Sequence, residues 1–262
     1  MNGATVQAPI ILIHGILGFG EARLLQLKLD YFRGIPEVLS ELGNNVPKPP
    51  SLPPTGGVAE RAAVLANYID SSAVPPGPVH LIAHSMGGLD AVHLIARLKT
   101  GDRVLSLTTL GTPFQGTPVA DLGDGIFAPL LESLRLAGLD VHGFLDLMRA
   151  NAAEFLAEGI GAKDIKSIPC FCVAGNYEPV LPGVGLLAAT HDVIKKLEGD
   201  NDGLVSVASA TKFGQQLATW PADHFRLINW PTDLIAPFDE FTDRTIIDGY
   251  IGLVQNLVEK GF

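Results

Sequence analysis

Cysteine is nearly absent: Cys170 and Cys172 are the only two in 262 residues. A structural zinc site needs four ligands at characteristic spacing, and the partner cysteines are missing. Two thiols flanking one residue on an extended strand share a face and could bridge only under strain, so two buried free thiols are expected instead of a disulfide framework. Positive charge is scarce as well. Lys plus Arg total 18 against 28 Asp plus Glu, a net charge of −10, and no local basic cluster offsets it. Nucleic-acid binding is therefore set aside and a polyanionic substrate disfavoured, while neutral substrates stay open. Long apolar runs are missing too. Nothing reaches the roughly 18 residues of a spanning helix, so no transmembrane segment is expected. Met1 to Ala8 carry no basic cluster, and Pro9 to Ile13 is too short for a signal core. The chain reads as cytoplasmic if Met1 is the native start, and as secreted if a leader was removed.

What is present describes a globular protein: 47% hydrophobic and 18% charged residues suffice for a buried core. Neither an internal repeat nor a low-complexity tract is found, and one domain over residues 1–262 is expected. Ile10-Ile-Leu-Ile13 and Val79-His-Leu-Ile-Ala83 are short apolar runs suited to strands buried on both faces of a parallel sheet. Val104 to Leu110 predicts a third strand, Ile168 to Ala174 a fourth, and Leu204 to Val207 a further strand or strand end. Helices are predicted from Pro36 to Leu42, Val58 to Ile69, after Ser85 through Leu98, and Phe241 to Val258. Val46 to Gly57, with five prolines, must be a loop. The alternation of strand and helix gives the α/β class, a mostly parallel sheet flanked by helices. Residues about 114–166 break the rhythm with helical periods (Ile126, Phe127, Leu130, Leu131 and Leu134, then Phe144, Leu145 and Met148), predicting a helical insertion over the sheet.

One short string carries chemistry. Ala83-His-Ser-Met-Gly87 sits where a strand passes directly into a helix. A serine at such a turn is lifted clear of the sheet, and close approach of strand and helix demands small residues two positions to either side. Ser85 could instead simply cap the helix, but the preceding apolar strand and the Gly-rich helix start favour a nucleophile. The Met86 N–H would then point at an oxyanion formed beside Ser85. His14-Gly-Ile-Leu-Gly18 follows the first strand, and its Ile16 N–H is the expected second donor.

These segments resemble the bacterial triacylglycerol lipases of the α/β-hydrolase fold, particularly the Pseudomonas and Burkholderia group. The resemblance is carried by His14-Gly-Ile-Leu-Gly-Phe19, Tyr31-Phe-Arg-Gly-Ile-Pro36, Ala83-His-Ser-Met-Gly-Gly88, Leu110-Gly-Thr-Pro113 with Gly116, Asn201-Asp-Gly-Leu-Val205 and His224. It covers roughly half the chain, about 8–42, 79–121 and 200–230. It implies the α/β-hydrolase fold, a triad of Ser85, Asp202 and His224, oxyanion donors Ile16 and Met86, and a lid or cap over about 114–166. The fold implies the chain order nucleophile, acid, His, which with His93 read inside a helix and His142 in the insertion leaves His191 and His224 as bases, and the resemblance selects His224; His191 looks like a surface residue near a helix start. The group's calcium site has no match, since Arg226 stands where an aspartate would be; no metal and no cofactor is expected. The implied activity is hydrolysis of carboxylic esters with medium to long acyl chains, through an acyl-enzyme. A small-molecule or lipid ester is the implied partner, with transient contact to a lipid surface. Two other readings stay open: a different serine acyl hydrolase, such as a polyhydroxyalkanoate depolymerase or an amidase, and a binding protein that keeps the fold without catalysis.

Overall fold

The computed structural model describes residues 4–16, 30–121, 142–160, 165, 167–179, 187–230 and 244–262. The first strand, β1 (Ile10–Ile13), shows how the sheet is buried. Successive side chains of a strand point to opposite faces. Ile11 and Ile13 accordingly enter one apolar cluster with Leu81 and Ala83, and Ile10 and Leu12 enter another with Ile82 and Leu110. A sheet covered on both faces needs no polar alternation, which is why these strands read as continuous apolar runs.

Beyond β1 the chain forms α1 (Ile35–Glu41), α2 (Val58–Ile69), β2 (Val79–His84), α3 (Gly87–Arg97) and β3 (Val104–Leu110). Pro36 lies in the first turn of α1, where its missing N–H leaves no bond unmade. Next come α4 (Pro118–Asp121), α5 (His142–Asp146), α6 (Arg149–Ile160), β4 (Cys170–Gly175), α7 (Ala188–Leu197), α8 (Val207–Ala210), β5 (Gln215–Trp220) and α9 (Arg244–Glu259). Among the described residues the sheet has the order β1-β2-β3-β4-β5, and every neighbouring pair is parallel. Helices α2 and α3 cover one face; α1 and α9 cover the other. Both cysteines are free, as strand β4 places them.

Two expectations are corrected, and one strand comes unannounced. Leu204 to Val207 forms no strand. The Asp202 Oδ1 accepts hydrogen bonds from the N–H groups of Leu204 and Val205 (2.9 and 2.7 Å), which curls the segment into a turn closed by one antiparallel bridge, Asn201 to Ser206. The fifth strand is β5, an edge strand whose residues are half-exposed or exposed; Gln215-Gln-Leu-Ala-Thr-Trp220 has no apolar run to announce it. His191 is not a surface residue. It lies inside α7, 2% exposed, with its ring 5.1 Å from that of Tyr177. Of the insertion over about 114–166, residues 122–141, 161–164 and 166 lie outside the described residues, and with them Ile126, Phe127, Leu130, Leu131 and Leu134. Within it α5 and α6 are helical as expected. Phe144 and Met148 are half-buried and Leu145 is exposed.

Candidate active site

Ile16, Ser85 and His224 follow the carboxyl ends of the parallel strands β1, β2 and β5, where open α/β sheets place their ligand sites, and Asp202 lies in the turn between α7 and α8. Ser85 follows β2 directly. Its φ is +55°, one of two positive values among described residues other than glycine. This left-handed backbone is unfavourable by about 1–2 kcal/mol for a residue with a Cβ, so its surroundings must hold it. Ser85 N–H donates to the Leu110 carbonyl at 2.9 Å, and the Ser85 carbonyl accepts from Thr112 Oγ1 at 2.9 Å and from Gly88 N–H at 3.0 Å. The turn is as crowded as the sequence suggests. A Cβ on Gly87 would lie 2.8 Å from the carbonyl oxygens of Ile13 and His14, and one on Gly88 would overlap Thr112 Oγ1.

Gly15 presses against the serine from the first-strand loop: a Cβ there would sit 2.6 Å from Ser85 Cβ and 3.0 Å from its Oγ. That glycine is needed for close approach. Ile16 follows it, half-buried, and Met86 is fully buried at the foot of α3. Gly18, also named in this loop, lies outside the described residues.

Asp202 and His224, 22 residues apart in sequence, meet at 2.7 Å through Oδ2 and Nδ1. Both are buried, at 1% and 4% exposure. The other oxygen of Asp202 is occupied by the two turn N–H groups described above, and His224 N–H donates to the Asp202 carbonyl at 2.8 Å. The carboxylate therefore cannot rotate without breaking several bonds. Gly111, at the end of β3 with φ +56°, passes beside this pair; a Cβ on it would lie 2.9 Å from Asp202 Oδ2 and 3.4 Å from His224 Nδ1. With Nδ1 bound to Asp202, Nε2 is the ring nitrogen left for chemistry. No direct hydrogen bond joins it to Ser85 Oγ among the described residues. Such bonds are often long before substrate arrives.

Several buried groups that the sequence did not single out surround these residues. Arg61 of α2 and Asp90 of α3 form an ion pair at 2.8 Å with both side chains fully buried. Burial pushes the Asp90 carboxyl up to about 7, against the opposing pull of Arg61. Arg61 also donates to the carbonyls of His14 and Pro53, each at 2.7 Å, so the pair grips the first-strand loop. His84, which the sequence presents only as the serine's neighbour, lies between Tyr31 and His224. No periodicity marks these partners, because 53 and 140 residues separate them from His84.

The chain's residues 10–244 match the family model described as the alpha/beta hydrolase family. The chain belongs to the alpha/beta hydrolase family. Among curated members, triacylglycerol lipase 2 of Saccharomyces cerevisiae is 28% identical over 253 residues, covering 90% of this chain and 76% of the yeast protein. A triacylglycerol lipase of Vibrio cholerae is 33% identical over 120 residues, 45% of this chain and 36% of that protein. In three dimensions a metagenomic carboxyl esterase superposes with a TM-score of 0.75 at 19% identity, covering 97% of this chain and 76% of that one. The mature lipase of Bacillus licheniformis superposes with a TM-score of 0.69 at 21% identity, covering 94% and 91%. At these identities the two structures establish the hydrolase fold.

Proposed function

We propose that this α/β-hydrolase is a carboxylic ester hydrolase that works by acyl transfer to Ser85. The observation that carries the reading is the buried Asp202–His224 pair at 2.7 Å, on loops beside an elbow serine held in left-handed backbone. In this mechanism His224 Nε2 takes the Ser85 proton as Oγ attacks the ester carbonyl. Asp202 fixes the imidazole tautomer through Nδ1 and stabilises its cation. The N–H groups of Ile16 and Met86 receive the developing oxyanion, each such donor being worth on the order of 3 kcal/mol in the transition state. Protonated His224 then releases the alcohol, and water attacks the acyl-enzyme by the same route, returning Ser85 and freeing the acid.

The substrate reading is a neutral ester with a medium to long acyl chain, in a small molecule or a lipid. Two things support it: the lipase names of the relatives, and the exposed or half-buried apolar side chains Leu145, Phe144 and Met148 on the α5 side. No helix among the described residues is long and apolar enough to cross a membrane, and contact with lipid would be transient. A fluorophosphonate probe tests the nucleophile. Stoichiometric labelling mapped to Ser85 by peptide mass spectrometry is the expected result. Labelling elsewhere, or none, would leave a fold without this chemistry. Esters, amides and polyhydroxyalkanoate offered side by side then place the substrate class.

A further inference from the structure

Tyr31 and His84 stand between the first-strand loop and the loop of His224, and the acyl-transfer steps give neither a task. Gly15 N–H donates to Tyr31 Oη at 3.0 Å. Tyr31 Oη lies 2.8 Å from His84 Nδ1, and His84 Nε2 lies 3.0 Å from the carbonyl oxygen of His224. With a neutral imidazole, the two ends fix every direction in between. A backbone N–H only donates and a carbonyl oxygen only accepts. The proton of His84 is therefore on Nε2, Nδ1 is an acceptor, and the Tyr31 hydroxyl donates to it while accepting from Gly15.

We propose that Tyr31 and His84 are positioning residues, a hydrogen-bonded strut that holds the turn bearing the Ile16 N–H at a fixed distance from His224. The proposal rests on the acyl-transfer reading of Ser85, His224 and Ile16. The geometry of the turn shows why the strut matters. The peptide unit between His14 and Gly15 is held at both ends, its carbonyl by Arg61 at 2.7 Å and its N–H by Tyr31. The next carbonyl, that of Gly15, accepts from His14 Nδ1 at 2.8 Å, while His14 Nε2 accepts from Leu52 N–H at 3.1 Å. In a planar trans peptide the carbonyl and the N–H point opposite ways. Holding the Gly15 carbonyl thus sets the direction of the Ile16 N–H. Arg61 and His14 anchor the turn to its own side of the sheet; Tyr31 and His84 tie it to the loop of the base.

Neutral His84 gives the Tyr31 hydroxyl proton an acceptor, whereas a cationic ring would donate from Nδ1 and take that acceptor away. Burial, the largest cause, together with the charge His224 acquires, holds the ring well below the ordinary histidine range. The two rings lie 4.5 Å apart and tilted by 48°, so an uncharged His84 adds no repulsion when His224 becomes a cation.

The test uses the full chain carrying Tyr31→Phe, His84→Phe, both together, or His84→Gln, which keeps one acceptor and one donor. Each is assayed on a p-nitrophenyl ester, and for affinity toward a trifluoromethyl ketone, which forms a tetrahedral adduct on a nucleophilic serine. A small displacement of reacting groups can lower rate by up to about 100-fold. Tyr31→Phe is expected to lower kcat about 10-fold or more with KM within about twofold, and to weaken the ketone by the same factor. The double variant should lose no more than the worse single, as members of one unit do, and His84→Gln should recover part of the loss. Unchanged kcat and ketone affinity in Tyr31→Phe would overturn the strut. So would losses that follow only KM or the thermal midpoint, or that multiply in the double variant. Should Tyr31→Phe fail to fold, the two His84 variants decide by the same readouts. Ser85→Ala runs alongside: activity retained there would fell the acyl-transfer reading itself, and the strut with it.

Discussion

Ser85, Asp202 and His224, the triad proposed here, owe their geometry to groups to which the proposed mechanism gives no chemical step. The serine's backbone strain is offset by three hydrogen bonds to its own peptide groups, and Asp202 spends one oxygen on the turn that aims the other. Asp202→Asn keeps the shape but favours the wrong imidazole tautomer. Its kcat should fall on the order of 10⁴-fold, measured by steady-state ester hydrolysis at an unchanged thermal midpoint. Histidine burial gives a second residue-level prediction. Burial lowers His14 and His80 to about 4, so between roughly pH 6.5 and 4 the unfolded chain binds protons there that the folded chain does not. Stability is then full above about pH 6.5 and declines as pH falls, by up to about 1.4 kcal/mol per pH unit for each ring. Urea denaturation at pH 7, 6 and 5 should show this decline; a flat or rising stability would contradict it. Legibility at this scale follows locality. The sharp strand-to-helix turn at Ser85 and Met86 was readable because it lies in five consecutive residues. The pairing of Asp202 with His224 was expected only through a family resemblance, and Tyr31 and His84 were invisible as a pair because only the fold brings them together.

The elements read most easily were those buried on the sheet. Helix α2 and strand β3 occupy the predicted spans, and β2 and α3 differ from theirs by a residue at their ends, since apolar periodicity and glycine punctuation mark both faces of a covered sheet. The edge strand β5 escaped for want of apolar residues, and the strand expected over Leu204 to Val207 failed because side-chain hydrogen bonds override its apolar residues. Helices α2 and α3 also carry the Arg61–Asp90 pair, which makes their packing testable. Arg61→Met leaves a fully buried carboxylate without its partner and frees the His14 carbonyl. It should destabilise the fold by about 3–5 kcal/mol. Adding Asp90→Leu should return most of that stability, because a buried pair is often replaceable by apolar side chains. Urea denaturation of the two variants checks both statements. A single variant as stable as wild type would mean that the pair contributes nothing. Gly88→Ala is a packing test on α3: the added methyl meets Thr112, and a loss of about 1–3 kcal/mol is expected.

At the scale of the molecule, the sheet works as a frame that delivers loops from several strands to one place. Ser85 follows β2, Gly111 follows β3 and Gly175 ends β4, where a Cβ would lie 2.8 Å from Asp202 Cβ. The first-strand loop closes the other side against Ser85. The fold class was legible from the alternation of strands and helices alone, and membership of the alpha/beta hydrolase family agrees with it. Substrate size was not legible, because residue spacing alone does not separate a helical cover from a core. The most direct test of the account is hydrolysis of p-nitrophenyl esters from acetyl to palmitoyl by the wild type and by Ser85→Ala. The account predicts turnover by the wild type, highest on medium to long chains, and its loss by at least about 10³-fold in Ser85→Ala. A wild type inert on every ester, or a Ser85→Ala variant as active as the wild type, would contradict it.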